Sequence, residues 1–101
     1  MNGTDGQEAF VQTEERDRTE RITTLALRQL LIKQNYRCAL TGWDLMPDTA
    51  TVDHVQPLAR GGTNTIDNIQ IVHGDVNRAK GVMSQAEFLT LCAAVTNHLQ
   101  A

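Results

Sequence analysis

Several things are scarce in this 101-residue chain, and each scarcity narrows what it can be. No apolar run reaches the roughly 20 residues a membrane-spanning helix needs. The polar opening MNGTDGQEAF does not read as a secretory leader. Cysteine is nearly missing: Cys38 and Cys92 stand far apart with no pairing pattern. That excludes a disulfide framework and suits a reducing cytoplasm. A basic surplus is lacking as well, since the net charge is -3, which argues against a general nucleic-acid binder. Aromatics are few, and there is neither an internal repeat nor a low-complexity tract. What remains is an ordinary globular composition and a length that makes one domain with a modest core.

The charge is unevenly placed. Asp5, Glu8, Glu14, Glu15, Asp17 and Glu20 face only Arg16 and Arg18 in the first 20 residues, whereas from Arg21 onward seven basic residues meet six acids. The body of the domain is therefore close to neutral, and individual basic positions matter more than the total.

Local patterns set the expected elements. Residues 1–12, with Gly3 and Gly6, read as a flexible tail ahead of a single domain over 13–101. From about Thr13 to Gln34 the apolar positions Ile22, Leu25, Ala26, Leu30 and Ile32 recur near helical spacing, and Asn35 suits a left-handed stop. Thr41-Gly42 and Pro47-Asp48 are turn chemistry between β-prone stretches. Residues 59–64 (ARGGTN) form a loop in which Gly61 and Gly62 permit positive φ. A second strand over Ile69–Val72 and a short helix over Asp75–Lys80, closed by Gly81, follow. Ser84 with Glu87 three residues on is a capping box for a last helix, with Phe88, Leu91, Cys92, Val95 and Leu99 as its apolar stripe. Cys92 is expected to be buried there, and Trp43 to lie in the core or on a helix-packing surface. His98 suits the negative end of the last helix.

The chemistry concentrates between Asp53 and Lys80. Carboxylate and amide oxygens, as in Asp53, Asn68 and Asn77, are hard donors suited to Mg²⁺ or Mn²⁺. Histidine, as at His54, is the side-chain type suited to taking a proton from water at physiological pH. Neighbouring strand residues point to opposite sides, so Asp53 and His54 need not compete for one ion. Arg78 and Lys80 can steady a phosphate. Each of these has a bland reading alone: a surface histidine, a turn asparagine, a solvated basic face.

The ordered set is more specific. VDHVQPLARGG, then NIQIV, then NRAKG resembles the motif of the HNH endonucleases, in the variant with asparagine at the third position, over about residues 36–81. The resemblance implies an α+β fold: a small ββα-metal core flanked by an N-terminal and a C-terminal α-helix. It implies hydrolysis of DNA phosphodiester bonds with one divalent cation, Mg²⁺ or Mn²⁺. His54 would be the general base, and Asp53 and Asn77 would hold the ion. Asn68 would fix the loop between the strands and so orient His54. Lys80, Arg78 and Arg60 would face the nucleic acid.

Cleavage would be unspecific, often a nick, unless a homodimer or a partner such as phage packaging machinery adds specificity. The setting implied is a bacterial or phage-encoded cytoplasmic protein. The sequence departs from relatives that carry two Cys-x-x-Cys pairs. Cys38 and Thr41 stand at the first pair and His73 and Val76 at the second, and two ligands do not close a structural zinc site. Packing by the two long helices is expected to replace it. His73 is expected to be a surface or hydrogen-bonded structural residue. The alternatives are a non-catalytic nucleic-acid-binding or assembly module on the same frame, and an interaction domain in which Asp53-His54 is structural.

Overall fold

A computed structural model of the protein describes residues 22–101. The expected tail, the acidic stretch and the first part of the expected long helix lie outside the described residues. Helix α1 spans Thr24–Lys33, and its start is local. Thr23 is extended, at φ -85 and ψ 159, and its hydroxyl accepts the Ala26 N–H at 3.0 Å. This N-cap leaves no continuous helix from Thr13, because its dihedrals are not helical. The C-terminal stop is the expected one at Asn35, φ 61, extended by Tyr36 at φ 57.

Gln34, just past the helix, ties α1 to the sheet. Its Nε2 donates to the carbonyls of Arg37 and Ile71, both at 2.8 Å, and its Oε1 accepts the Ile71 N–H at 3.0 Å. One side chain thus satisfies backbone groups that a two-stranded sheet would leave open at its edge.

That sheet pairs β1, Ala50–His54, with β2, Ile69–His73, antiparallel. Val52 faces Ile71, Asp53 faces Gln70, and His54 faces Ile69. Helix α2, Gly74–Lys80, follows at once with His73 as its N-cap, and α3 spans Gln85–Gln100. The architecture is α+β: an N-terminal helix, a ββα unit and a C-terminal helix. The capping box of Ser84 and Glu87 is formed in both directions.

The core is Cys38, Leu45, Ile71, Val72 and Val76, with Leu30, Leu31, Leu40, Ala50 and Phe88 packed on it. It corrects four expectations. Helix α1 packs through Leu30 and Leu31, while Leu25 and Ile32 are exposed. Helix α3 reaches the core only through Phe88, and the rest of its stripe, Leu91, Val95 and Leu99, is exposed. Cys92 is therefore exposed, not buried. Trp43 is exposed too, its ring set edge-on to His73 with centroids 5.2 Å apart. Helical periodicity identifies an apolar face but does not say what covers it.

The loop from β1 to β2 needs both glycines, for different reasons. Gly61 adopts φ 89, as expected. Gly62 is restricted by space: a Cβ there would lie 1.8 Å from the Gln56 carbonyl oxygen and 2.9 Å from that of Pro57. Both obstacles are backbone and cannot swing away. Gly62→Ala is expected to lower stability by about 1–3 kcal/mol in urea unfolding. A midpoint equal to that of the parent would show that the loop relaxes freely.

Candidate active site

His54 is the last residue of β1, where the chain leaves the sheet for the loop. Asp53, just before it, points inward and is 5% exposed. Asn77 lies on α2, one turn ahead of Lys80. Asp53, His54 and Asn77 line one cavity of about 260 Å³, with Pro57 and Leu58 on its wall. Three residues from β1 and α2 thus line one solvent-accessible hollow.

Asp53 is held on both oxygens. Oδ1 accepts from Lys80 Nζ at 3.2 Å and Oδ2 from Gln70 Nε2 at 2.8 Å. Lys80 is 1% exposed, and its ammonium also donates to the His54 carbonyl at 2.8 Å. Gln70 donates in addition to Gln85 Oε1 at 2.6 Å, and the Gln85 N–H bonds the Val55 carbonyl at 3.1 Å. The start of α3 therefore braces the site from behind, though among the described residues only Phe88 of that helix packs on the core.

Asn68 pins the loop. Its Oδ1 accepts the Gln56 N–H, and its Nδ2 donates to the carbonyls of Gln56 at 3.0 Å and Thr63 at 2.7 Å. Its backbone carbonyl takes the Val55 N–H and its N–H reaches Thr65 O. None of these bonds touches His54. The imidazole instead meets Asn64, with Nε2 and Asn64 Oδ1 2.8 Å apart.

Residues 36–82 match the family model of the HNH endonucleases. They are an HNH endonuclease domain. The family is one of phosphodiester hydrolases that act on nucleic acid. No curated protein matches the chain.

The basic residues expected to face nucleic acid are placed otherwise by this HNH domain. Lys80 is buried against Asp53 and cannot meet a phosphate in this conformation, which corrects its expected role. The spacing of NRAK puts Lys80 one turn from Asn77, but only the packing of α2 on β1 shows that its ammonium turns inward. Arg78 is exposed and paired with Asp75, three residues earlier on the same helix. Arg60 grips Glu87 through both guanidinium nitrogens, with Nη2 to Oε2 at 2.9 Å. Neither arginine lines the cavity.

The Arg60 guanidinium, followed by the Ser84 N–H, holds the Glu87 carboxyl below its usual 4.5, at about 2. A depressed folded pKa stabilises fully above the unfolded value and ceases to as pH falls from about 4.5 towards about 2. Both partners are solvated, so the contribution is small and salt-screened. Glu87→Gln is expected to flatten the dependence of Tm on pH in that window. Equal slopes for parent and variant would refute it.

The HNH domain's other polar cluster is at Cys38. Its Sγ accepts the N–H groups of Thr41 at 3.4 Å and His73 at 3.3 Å. Burial works to raise its pKa, but the hydrogen bonds from Thr41, His73 and Leu40 prevail and leave the thiol below its ordinary value. His73 Nδ1 accepts the Asp75 N–H at 3.1 Å, which places its ring proton on Nε2 and makes it a cap. Among the described residues no three His, Cys, Asp or Glu side chains cluster.

Gln70, Gln85 and Asn64 escape sequence reasoning. Gln70 becomes legible once the strand register sets it opposite Asp53, whereas Gln85 and Asn64 carry no local signal.

Proposed function

We propose that this HNH domain is a metal-dependent endonuclease that hydrolyses DNA phosphodiester bonds with His54 as general base. The observation that carries this reading is the convergence of Asp53, His54 and Asn77 on one cavity beneath a loop pinned by Asn68. The donor set fits a hard cation. Asp53 offers carboxylate oxygens, each with a lone pair left beyond its single hydrogen bond, and Asn77 offers an amide oxygen. Bound by these two residues, Mg²⁺ or Mn²⁺ would supply positive charge beside the scissile phosphate.

His54 takes a proton from water, and the water oxygen bonds to phosphorus as the bond to the 3′ oxygen breaks. The buried ammonium of Lys80 holds Asp53 and the His54 carbonyl in register, so carboxylate and imidazole keep a fixed separation. We infer that structural zinc is not needed. Cys38 and His73 are the only ligand types at the four relevant positions, and their hydrogen bonds already close that turn.

With Arg60 and Arg78 paired to carboxylates, neither of these arginines is free to grip a phosphate backbone. Binding by the lone domain is weak and the product is a nick, with specificity added by a homodimer or a partner protein. A reducing cytoplasm suits the two free thiols. One observation favours a second reading, a non-catalytic nucleic-acid-binding or assembly module: Lys80 already neutralises Asp53.

Supercoiled plasmid incubated with the protein in Mg²⁺, in Mn²⁺ and in EDTA separates the two. Nicking with either ion that stops in EDTA supports the nuclease. A folded protein that binds plasmid and cuts with neither ion supports the module.

A further inference from the structure

We propose that Asn64 is the positioning residue of His54: its side-chain oxygen accepts the Nε2 proton and so presents Nδ1, bare, as the basic nitrogen. This rests on the reading of His54 as general base. The contact is 2.8 Å, between groups ten residues apart. An amide oxygen only accepts, so the imidazole nitrogen facing it must donate. The neutral ring then has its lone pair on Nδ1. When Nδ1 takes the proton from water, the Nε2–H bond to Asn64 persists and strengthens, because its donor has become cationic.

The loop is built to hold Asn64 still. Asn68 bonds the chain on both sides of it: Nδ2 donates to Thr63 O at 2.7 Å, and the backbone N–H donates to Thr65 O at 2.8 Å. The hydroxyls of Thr63 and Thr65 meet at 2.9 Å, and Thr65 donates to Asp67. Gly62, with no room for a Cβ, sends its N–H to Pro57 O at 2.9 Å just ahead of this segment. Asn68 thus acts on His54 at one remove, by fixing the two peptides that flank Asn64. An asparagine side chain has only two rotatable bonds, so a fixed backbone leaves its amide few positions to reach. The exposed Asn64 touches no core residue, so its substitution leaves the fold intact.

The test uses the full chain. The tautomer of His54 is read from ¹⁵N shifts of the imidazoles, assigned by the signals missing in His54→Ala. Plasmid cleavage kinetics are measured beside it for the parent, Asn64→Ala and Asn64→Asp. The parent ring is expected to carry its proton on Nε2, and Asn64→Ala to show a mixture of tautomers. In Asn64→Ala kcat is expected to fall about 10–100-fold, with KM changed far less. Asn64→Asp keeps an acceptor at the same reach and is expected to restore both the tautomer and most of kcat.

A parent ring protonated on Nδ1, or an Asn64→Ala protein with the parent's tautomer and kcat, would overturn the inference while leaving the nuclease standing. A parent that cuts with neither ion removes the catalytic reading itself, and the positioning role goes with it.

Discussion

His54→Ala is expected to abolish metal-dependent nicking, lowering the initial rate by about 10²–10⁴-fold, without measurable loss of fold. The two halves of that result come from different observations. The rate falls because, among the described residues, no other group lining the cavity is placed to take the proton: Asp53 is held by Lys80 and Gln70, and the Asn77 amide is not a base. Stability holds because the imidazole is half-buried and its bond is to an exposed asparagine, so the change should stay within about 0.5 kcal/mol. The backbone carbonyl of His54, which Lys80 does use, survives the substitution. Relaxed-circle formation and the urea midpoint are the two readouts. A rate loss accompanied by a matching drop in midpoint would make Asp53-His54 a structural pair, and undiminished nicking would place the base elsewhere.

Lys80→Ala is expected to give the opposite signature, a stability loss of about 3–5 kcal/mol. Asp53 and Lys80 are both nearly inaccessible, at 5% and 1% exposure. Removing the ammonium leaves a carboxylate desolvated and opposed only by an amide, and orphans the His54 carbonyl as well. Such a loss is a large share of the roughly 5–15 kcal/mol that holds a small domain. A variant that fails to fold would still be informative beside Asp53→Asn/Lys80→Met, which removes both charges and keeps the volume. That double variant is expected to be more stable than Lys80→Met alone, because the cost lies in the unpaired charge. Equal midpoints for the single and double variants would mean that the ion pair is not what holds α2 to β1.

These contrasting outcomes mark where the sequence was informative. Ser84 and Glu87, Asn35 and Gly81 were legible because caps and stops are made within a few residues. The DVNRAK helix and the strand after the loop were legible for the same reason. The long helix from Thr13 was not: the same apolar spacing runs through Thr23, and nothing in periodicity announces that Thr23 would cap and not continue. Asp53, His54, Asn68 and Asn77 stood out because a chemical set in fixed order is written in one dimension.

What the sequence by itself determined is therefore local: the kinds of element, their ends, and the residue types able to bind a cation and move a proton. Tertiary structure alone decided which of those groups are free. Only the packing of α2 on β1 turns Lys80 inward onto Asp53, and only the loop's closure brings Arg60 to Glu87 and Asn64 to His54. It also decided that Cys92 and most of the last helix's stripe face outward. The physical reason is range. Caps and turns act over three or four residues, whereas a buried charge is settled by a partner 27 residues away, whose approach depends on every packing contact between them.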